Sequence, residues 1–143
     1  MSWTFYNSSG QRLQTFGFVA ATQAEMEAAS STTAYVTPGR TQHHPGVAKA
    51  WGSITSAGVL ESPDYGVSSV TDSSAGNRII IWTTAFSSGD YAIGASSDGG
   101  GTADVQVFYY HESGRQTTQV TAIAYVGTTP TDRPHSFVVF GDQ

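Results

Sequence analysis

The sequence predicts an all-β protein, an antiparallel β-sandwich or jelly-roll-like domain with one short N-terminal helix. Two observations predict it. From Tyr65 onward, short runs rich in β-branched and aromatic residues recur between turn clusters, at the spacing of about 8–12 residues typical of sandwich strands. The composition points the same way. Only 12% of residues are charged, against about 25% in ordinary soluble proteins. Ser and Thr supply about a quarter of the chain and Lys49 is its single lysine, so hydroxyls and backbone, not charge, keep the surface polar. Disordered chains lack the aromatic and β-branched residues that abound here.

The elements follow in order. Trp3 to Tyr6 alternates as a short strand, Asn7-Ser-Ser-Gly10 is a turn, and Gln11 to Phe16 is the return strand. Thr22-Gln-Ala-Glu25 matches a capping box, in which the hydroxyl accepts from a backbone N–H three residues on and the carboxylate reaches back. The helix it opens, Gln23 to Ala29, stops at Ser30-Ser31. Two turns do not stand alone in water, so this helix must dock. Thr32 to Val36 reads as extended, and turns are expected at Thr37-Pro-Gly-Arg40 and His44-Pro-Gly46, leading into Val47–Trp51 and Ile54. Further strands are expected at Tyr65–Thr71, Arg78–Phe86, Tyr91–Ser96, Asp104–His111, Thr117–Val126 and Ser136–Phe140. Turn clusters separate them, among them Asp98–Gly101 and Glu112–Gly114.

A chain of 143 residues suits one domain with a short extra segment. The expected division is an N-terminal attachment and trimerisation segment, 1–60, before a sandwich domain, 61–143. In Ile79-Ile-Ile-Trp82 and Val120-Thr-Ala-Ile-Ala-Tyr125 neither alternating set is cleanly polar. Such strands are covered on two sides, and a neighbouring subunit is one candidate for the second cover.

Several function classes are disfavoured. A net charge of −5 with arginines scattered at 12, 40, 78, 115 and 133 lacks the clustered cations that phosphate contacts need, so nucleic acid is not an expected partner. Cysteine is absent, which removes disulfides and thiolate metal sites. No stretch reaches the roughly 20 apolar residues of a membrane helix, and the N-terminus shows no basic and apolar leader pattern, so a soluble protein made in a cytoplasm is expected. His43-His44 would point to opposite faces of a strand and cannot easily share one ion within a chain. Three copies of one histidine across a threefold axis could, but a loop histidine beside Pro45 is the simpler reading, and no metal or other cofactor is expected. Serines, His111, His135 and aspartates allow a triad only on paper, without a G-x-S-x-G elbow. Glu61-Ser-Pro-Asp64 reads as a solvated turn, and Asp98-Gly-Gly-Gly-Thr102 as a hairpin tip lacking the order of a phosphate loop. Phe108-Tyr-Tyr-His111 reads as core more readily than as a stacking platform. No enzyme is expected.

From Ala21 onward the text closely resembles a module of phage and prophage tail fibres. The blocks are Ala21-Thr-Gln-Ala-Glu-Met-Glu-Ala28, Ser31-Thr-Thr-Ala-Tyr-Val-Thr-Pro-Gly-Arg40 and His44-Pro-Gly-Val-Ala-Lys-Ala-Trp51. Tyr65-Gly-Val-Ser-Ser-Val-Thr-Asp72, Thr83-Thr-Ala-Phe86, Tyr91-Ala-Ile93 and Phe137-Val-Val-Phe-Gly141 continue the likeness. The resemblance implies a virion structural protein, commonly a homotrimer, with a β-rich distal domain and no catalytic residues. With about 20 residues ahead of this module, no long shaft is expected.

The expected function is therefore a short tail-fibre or adsorption-tip component of a bacteriophage virion that binds a host-surface glycan or protein. The alternative is a capsid decoration or cement protein, or a head fibre, fixed to the capsid lattice. Expected partners are two further copies of the chain and other virion proteins of tail or capsid. Receptor contacts are expected from loop tips, which vary at little cost to the fold, with Tyr110, His111 and Arg115 as candidates around Glu112–Gln116. Met26, Trp51 and Ile54 are the expected trimer contacts.

Overall fold

The computed structural model describes residues 2–17, 19–97, 106–110 and 114–143. The chain forms two compact units, Met1–Val47 and Ala48–Gln143.

In the first unit β1 (Ser2–Tyr6) and β2 (Arg12–Gly17) pair antiparallel, with a register shift between Phe5 and Tyr6. Asn7 makes the expected turn by accepting from the backbone N–H of Ser9 (3.0 Å) and Gln11 (2.8 Å) at Oδ1. The helix α1 (Gln23–Ala28) opens on the expected box. Glu25 N donates to Thr22 Oγ1 at 3.2 Å and Thr22 N to Glu25 Oε2 at 2.8 Å. It buries Met26 and ends on a left-handed Ala29. The segment expected as a turn at Thr37–Arg40 forms a four-residue helix, α2 (Pro38–Thr41). Proline fits a first helical turn, where its missing N–H has no partner to lose.

Among the described residues the second unit holds nine strands: β3 (Ala50–Ile54), β4 (Leu60–Tyr65), β5 (Val67–Ser74), β6 (Asn77–Trp82), β7 (Ala92–Ser97), β8 (Gln106–Tyr110), β9 (Gln119–Val126), β10 (Thr129–Pro130) and β11 (His135–Phe140). They form two antiparallel sheets, in the orders β10-β9-β6-β5, with β8 also on β9, and β4-β3-β11-β7. The protein is thus all-β with a few short helical turns. Strand parity sends Val67, Ile80, Trp82, Val120 and Ala122 of the first sheet, and Ala50, Ile54, Phe137 and Val139 of the second, into one buried cluster. Phe86 and Tyr91 complete it, both edge-on to Trp82 at centroid distances of 5.7 and 5.9 Å, a favoured aromatic geometry.

Three expectations shift. The boundary at 60/61 falls inside the second unit, because β3 is hydrogen-bonded on both edges, to β11 and β4. Glu61-Ser-Pro-Asp64 is not a turn but lies in β4, the outer strand of its sheet, the position where proline is tolerated. The strand expected at Tyr65–Thr71 is split at Gly66, whose φ is +72° and where any Cβ would run into the Lys49 carbonyl. His111 and the tip Asp98–Thr102 lie outside the described residues.

Candidate functional site

The outer face of the four-stranded sheet concentrates exposed chemistry. β11 buries His135, Phe137 and Val139 and turns Ser136, Val138 and Phe140 outward. Pairing extends these positions into rows. Ser136 faces Ser53 on β3 and Ser96 on β7, and Ser53 faces Glu61 on β4. The next row along the strands is Tyr65–Trp51–Val138–Gly94. A polar row of one carboxylate and three hydroxyls therefore runs beside an apolar row with two aromatic rings, Trp51 at 38% and Tyr65 at 50% exposure. Ser53 Oγ and Ser136 Oγ are 2.8 Å apart and tie the two central strands.

Two clefts open on this face. One, of about 300 Å³, is lined by Ser53, Glu61, Ser96, Ser97, His135 and Ser136 among others. The other, of about 380 Å³, runs over Gly94, Ser96, Ser136 and Val138, and Ser96 and Ser136 belong to both. His135 is buried under the first cleft, its Nδ1 3.2 Å from the Arg133 carbonyl oxygen. Burial pushes its pKa below the usual 6.5, an effect the Arg133 carbonyl opposes and the Arg78 charge reinforces, so the ring is neutral at pH 7.

The expected receptor residues sit elsewhere. Tyr110 pairs with Ala122 across β8 and β9. Arg115 is half-buried and donates from Nη1 to the Tyr91 carbonyl at 3.2 Å. Tyr91 answers through its hydroxyl, within 3.1 and 3.0 Å of the Gln116 and Gln119 carbonyls. Arg115 is thus used to fasten its own loop. Of the expected trimer contacts, Trp51 is on the surface, whereas Ile54 is fully buried and Met26 is packed beneath its helix. The alternation of β3 decides this: Ala50, Gly52 and Ile54 point in, Trp51 and Ser53 out. Ile54 has no surface to give a second chain, and Met26 keeps only the part that lines a small groove beside α1. His44 Nδ1 accepts from Gly46 N at 3.0 Å inside a turn, and among the described residues no three His, Asp or Glu side chains converge on a metal position.

One buried group escaped the sequence reading. Arg78 shares the inward parity of Ile80 and Trp82. It donates to Asp72 Oδ1 (2.7 Å), the Ser56 carbonyl (2.8 Å) and the Asn77 carbonyl (3.1 Å), and lies 3.1 Å from Asp132 Oδ1. The backbone N–H of Gly76, with Arg78 behind it, holds the Asp132 carboxyl below its usual range. This is a structural clamp joining the turn at Ser56, the β5–β6 pair and the Gly127–Pro134 connection. Its signal in the sequence was an arginine in phase with buried apolar positions.

The fold and site define an all-β, antiparallel-sheet protein with a mixed polar and aromatic sheet face. No protein-family model, curated protein or solved structure matches the chain, and nothing in these comparisons identifies a tail-fibre-like module.

Proposed function

We propose that the protein is a structural component of a bacteriophage particle, a homotrimeric short tail fibre or adsorption tip that touches the host surface. On this reading the two larger sheets are the layers of a β-sandwich, and the role involves no catalytic step. The text likeness over residues 20–141 suggests the setting. The observation that carries the assembly is the outward face of the five-stranded sheet. There Ile79, Ile81 and Ile123, half-buried within the chain, lie among Thr71, Thr121 and Gln119. Isoleucines on the outer parity of central strands suit cover by a neighbouring copy.

Gold-labelled antibody against the protein, applied to intact particles, tests the reading. Label at the tail end is the expected result. Label on the capsid would transfer the protein to the decoration role, and particles without label would end both. Light scattering of the purified chain should give about three times its 15.1 kDa mass.

A further inference from the structure

We infer that the outer face of the four-stranded sheet is a binding site for a neutral saccharide, seated on Trp51 and Tyr65 and hydrogen-bonded by the Glu61–Ser53–Ser136–Ser96 row. Its place on a host surface rests on the role proposed above; the site itself does not.

The argument starts from the chemistry of the two rows. A pyranose ring carries a patch of C–H groups on its face and hydroxyls around its rim, and each hydroxyl both donates and accepts. A matching surface needs exposed aromatic faces beside groups that do the same. Serine hydroxyls donate and accept, and an ionised carboxylate supplies acceptors. Aromatic side chains serve where one side of a ligand is apolar and the other wet. On β3, β11 and β7 adjacent same-face rows lie about 7 Å apart, the scale of one sugar ring between Trp51 and the hydroxyl row, while on β4 the register shift sets Tyr65 four residues from Glu61. Gly94 ends the apolar row without a side chain, and there the second cleft lies open. The clefts, about 300 and 380 Å³, follow the hydroxyl row and are not lined by Trp51 or Tyr65; their volumes are at the lower end of small-ligand sites.

The charge pattern selects the ligand class. Among the described residues Glu61 is the one formally charged side chain lining the first cleft, whose other described lining residues are serines, Ile54, Pro134 and the neutral His135. With no cation in the lining, a phosphate or an acidic sugar finds no ion-pair partner in the cleft and is repelled by Glu61. A neutral hexose meets none.

The test uses the full isotope-labelled chain, titrated to millimolar concentration with neutral disaccharides of glucose, galactose, mannose and N-acetylglucosamine while amide shifts are followed. Perturbations should gather at Trp51, Ser53, Ser96 and Ser136 for at least one sugar. Trp51→Ala, at an exposed position, should leave the spectrum folded and weaken binding roughly tenfold or more, the size of one lost stacking contact. Glu61→Gln should weaken it less, because an amide oxygen still accepts. Shifts centred on residues 114–119 would overturn the proposal and return recognition to the loop. So would no response to any sugar, or dissociation of an oligomer by Trp51→Ala, which would make this face a contact between copies. Particle labelling decides the virion role separately, so either reading can fail alone.

Discussion

Arg78 Nη1 donates to Asp72 Oδ1 at 2.7 Å from a side chain only 2% exposed, while the aspartate is 42% exposed. The pair spans β5 and β6 at directly opposed positions. Its two ends therefore have unequal weight. Removing the arginine takes the donor from the Ser56 carbonyl and leaves a void where its own buried side chain stood; removing the carboxylate deletes a solvent-screened partner.

Arg78→Ala should consequently destabilise the second unit by about 3 kcal/mol, as breaking a buried ionic cluster does. Asp72→Asn should cost about 1 kcal/mol or less, the scale of a partly exposed pair. Urea denaturation of both variants measures the contrast. Equal losses would show that the clamp works through Asp72 and not through the burial of Arg78.

His135 gives the fold a pH dependence with a defined sign. Its folded pKa is depressed below 6.5, so the unfolded chain binds more protons between the two values. The stability it contributes is fully present above pH 6.5 and declines as pH falls from 6.5 through the depressed value. Asp132, lowered from 3.8, acts the same way only in more acidic solution, from about its own unfolded pKa downward. His135→Gln should flatten the melting temperature just below pH 6.5 and leave the more acidic loss intact. An unchanged profile would assign the dependence to another group.

At the first helix, Thr22→Ala should destabilise α1 by about 0.5–2 kcal/mol, since the hydroxyl that accepts from Glu25 N is lost. Hydrogen exchange at the Glu25 and Met26 amides should accelerate accordingly. Unchanged exchange would mean that the docking of Met26 alone holds the helix.

The proposed assembly makes its own demand on the outer face of the five-stranded sheet. Ile123→Lys adds a charge at a half-buried position opposite Asn77. In light scattering it should convert a trimer to monomer while circular dichroism remains that of the folded chain. A trimer that survives the lysine would move the contact to another surface.

What the sequence disclosed depended on the range of the interaction. Local chemistry was legible: the Thr22–Glu25 box and the Asn7 turn involve neighbours within four residues, and both form as their residue types demand. The fold class was legible from period-2 patterning. What failed was long-range. Pro63 read as turn punctuation because nothing in the sequence says that β4 is an outermost strand. Ile54 read as a contact because its inward parity appears only once β3 is set between β4 and β11. The site was least legible of all. The row Glu61–Ser53–Ser136–Ser96 draws on four strands, of which only β3 and β4 are neighbours in sequence, and in so serine-rich a chain no single serine stands out. Nothing local in the sequence tied Arg115 to Tyr91, whose carbonyl accepts its hydrogen bond.

The placement of Pro63 has a consequence for how copies of this chain can meet. An outermost strand offers unpaired N–H and C=O groups to any passing strand, and sheets left open in this way grow into fibrils. Proline has no N–H to offer, and Glu61 and Asp64 flank it with negative charge on the same short strand. On the other sheet the terminal strand β5 carries Asp72 and a run of exposed serines. These two margins, one on each sheet, thus resist strand addition. Growth at the margins has no fixed end, whereas contacts that obey a closed symmetry stop at a small number of copies.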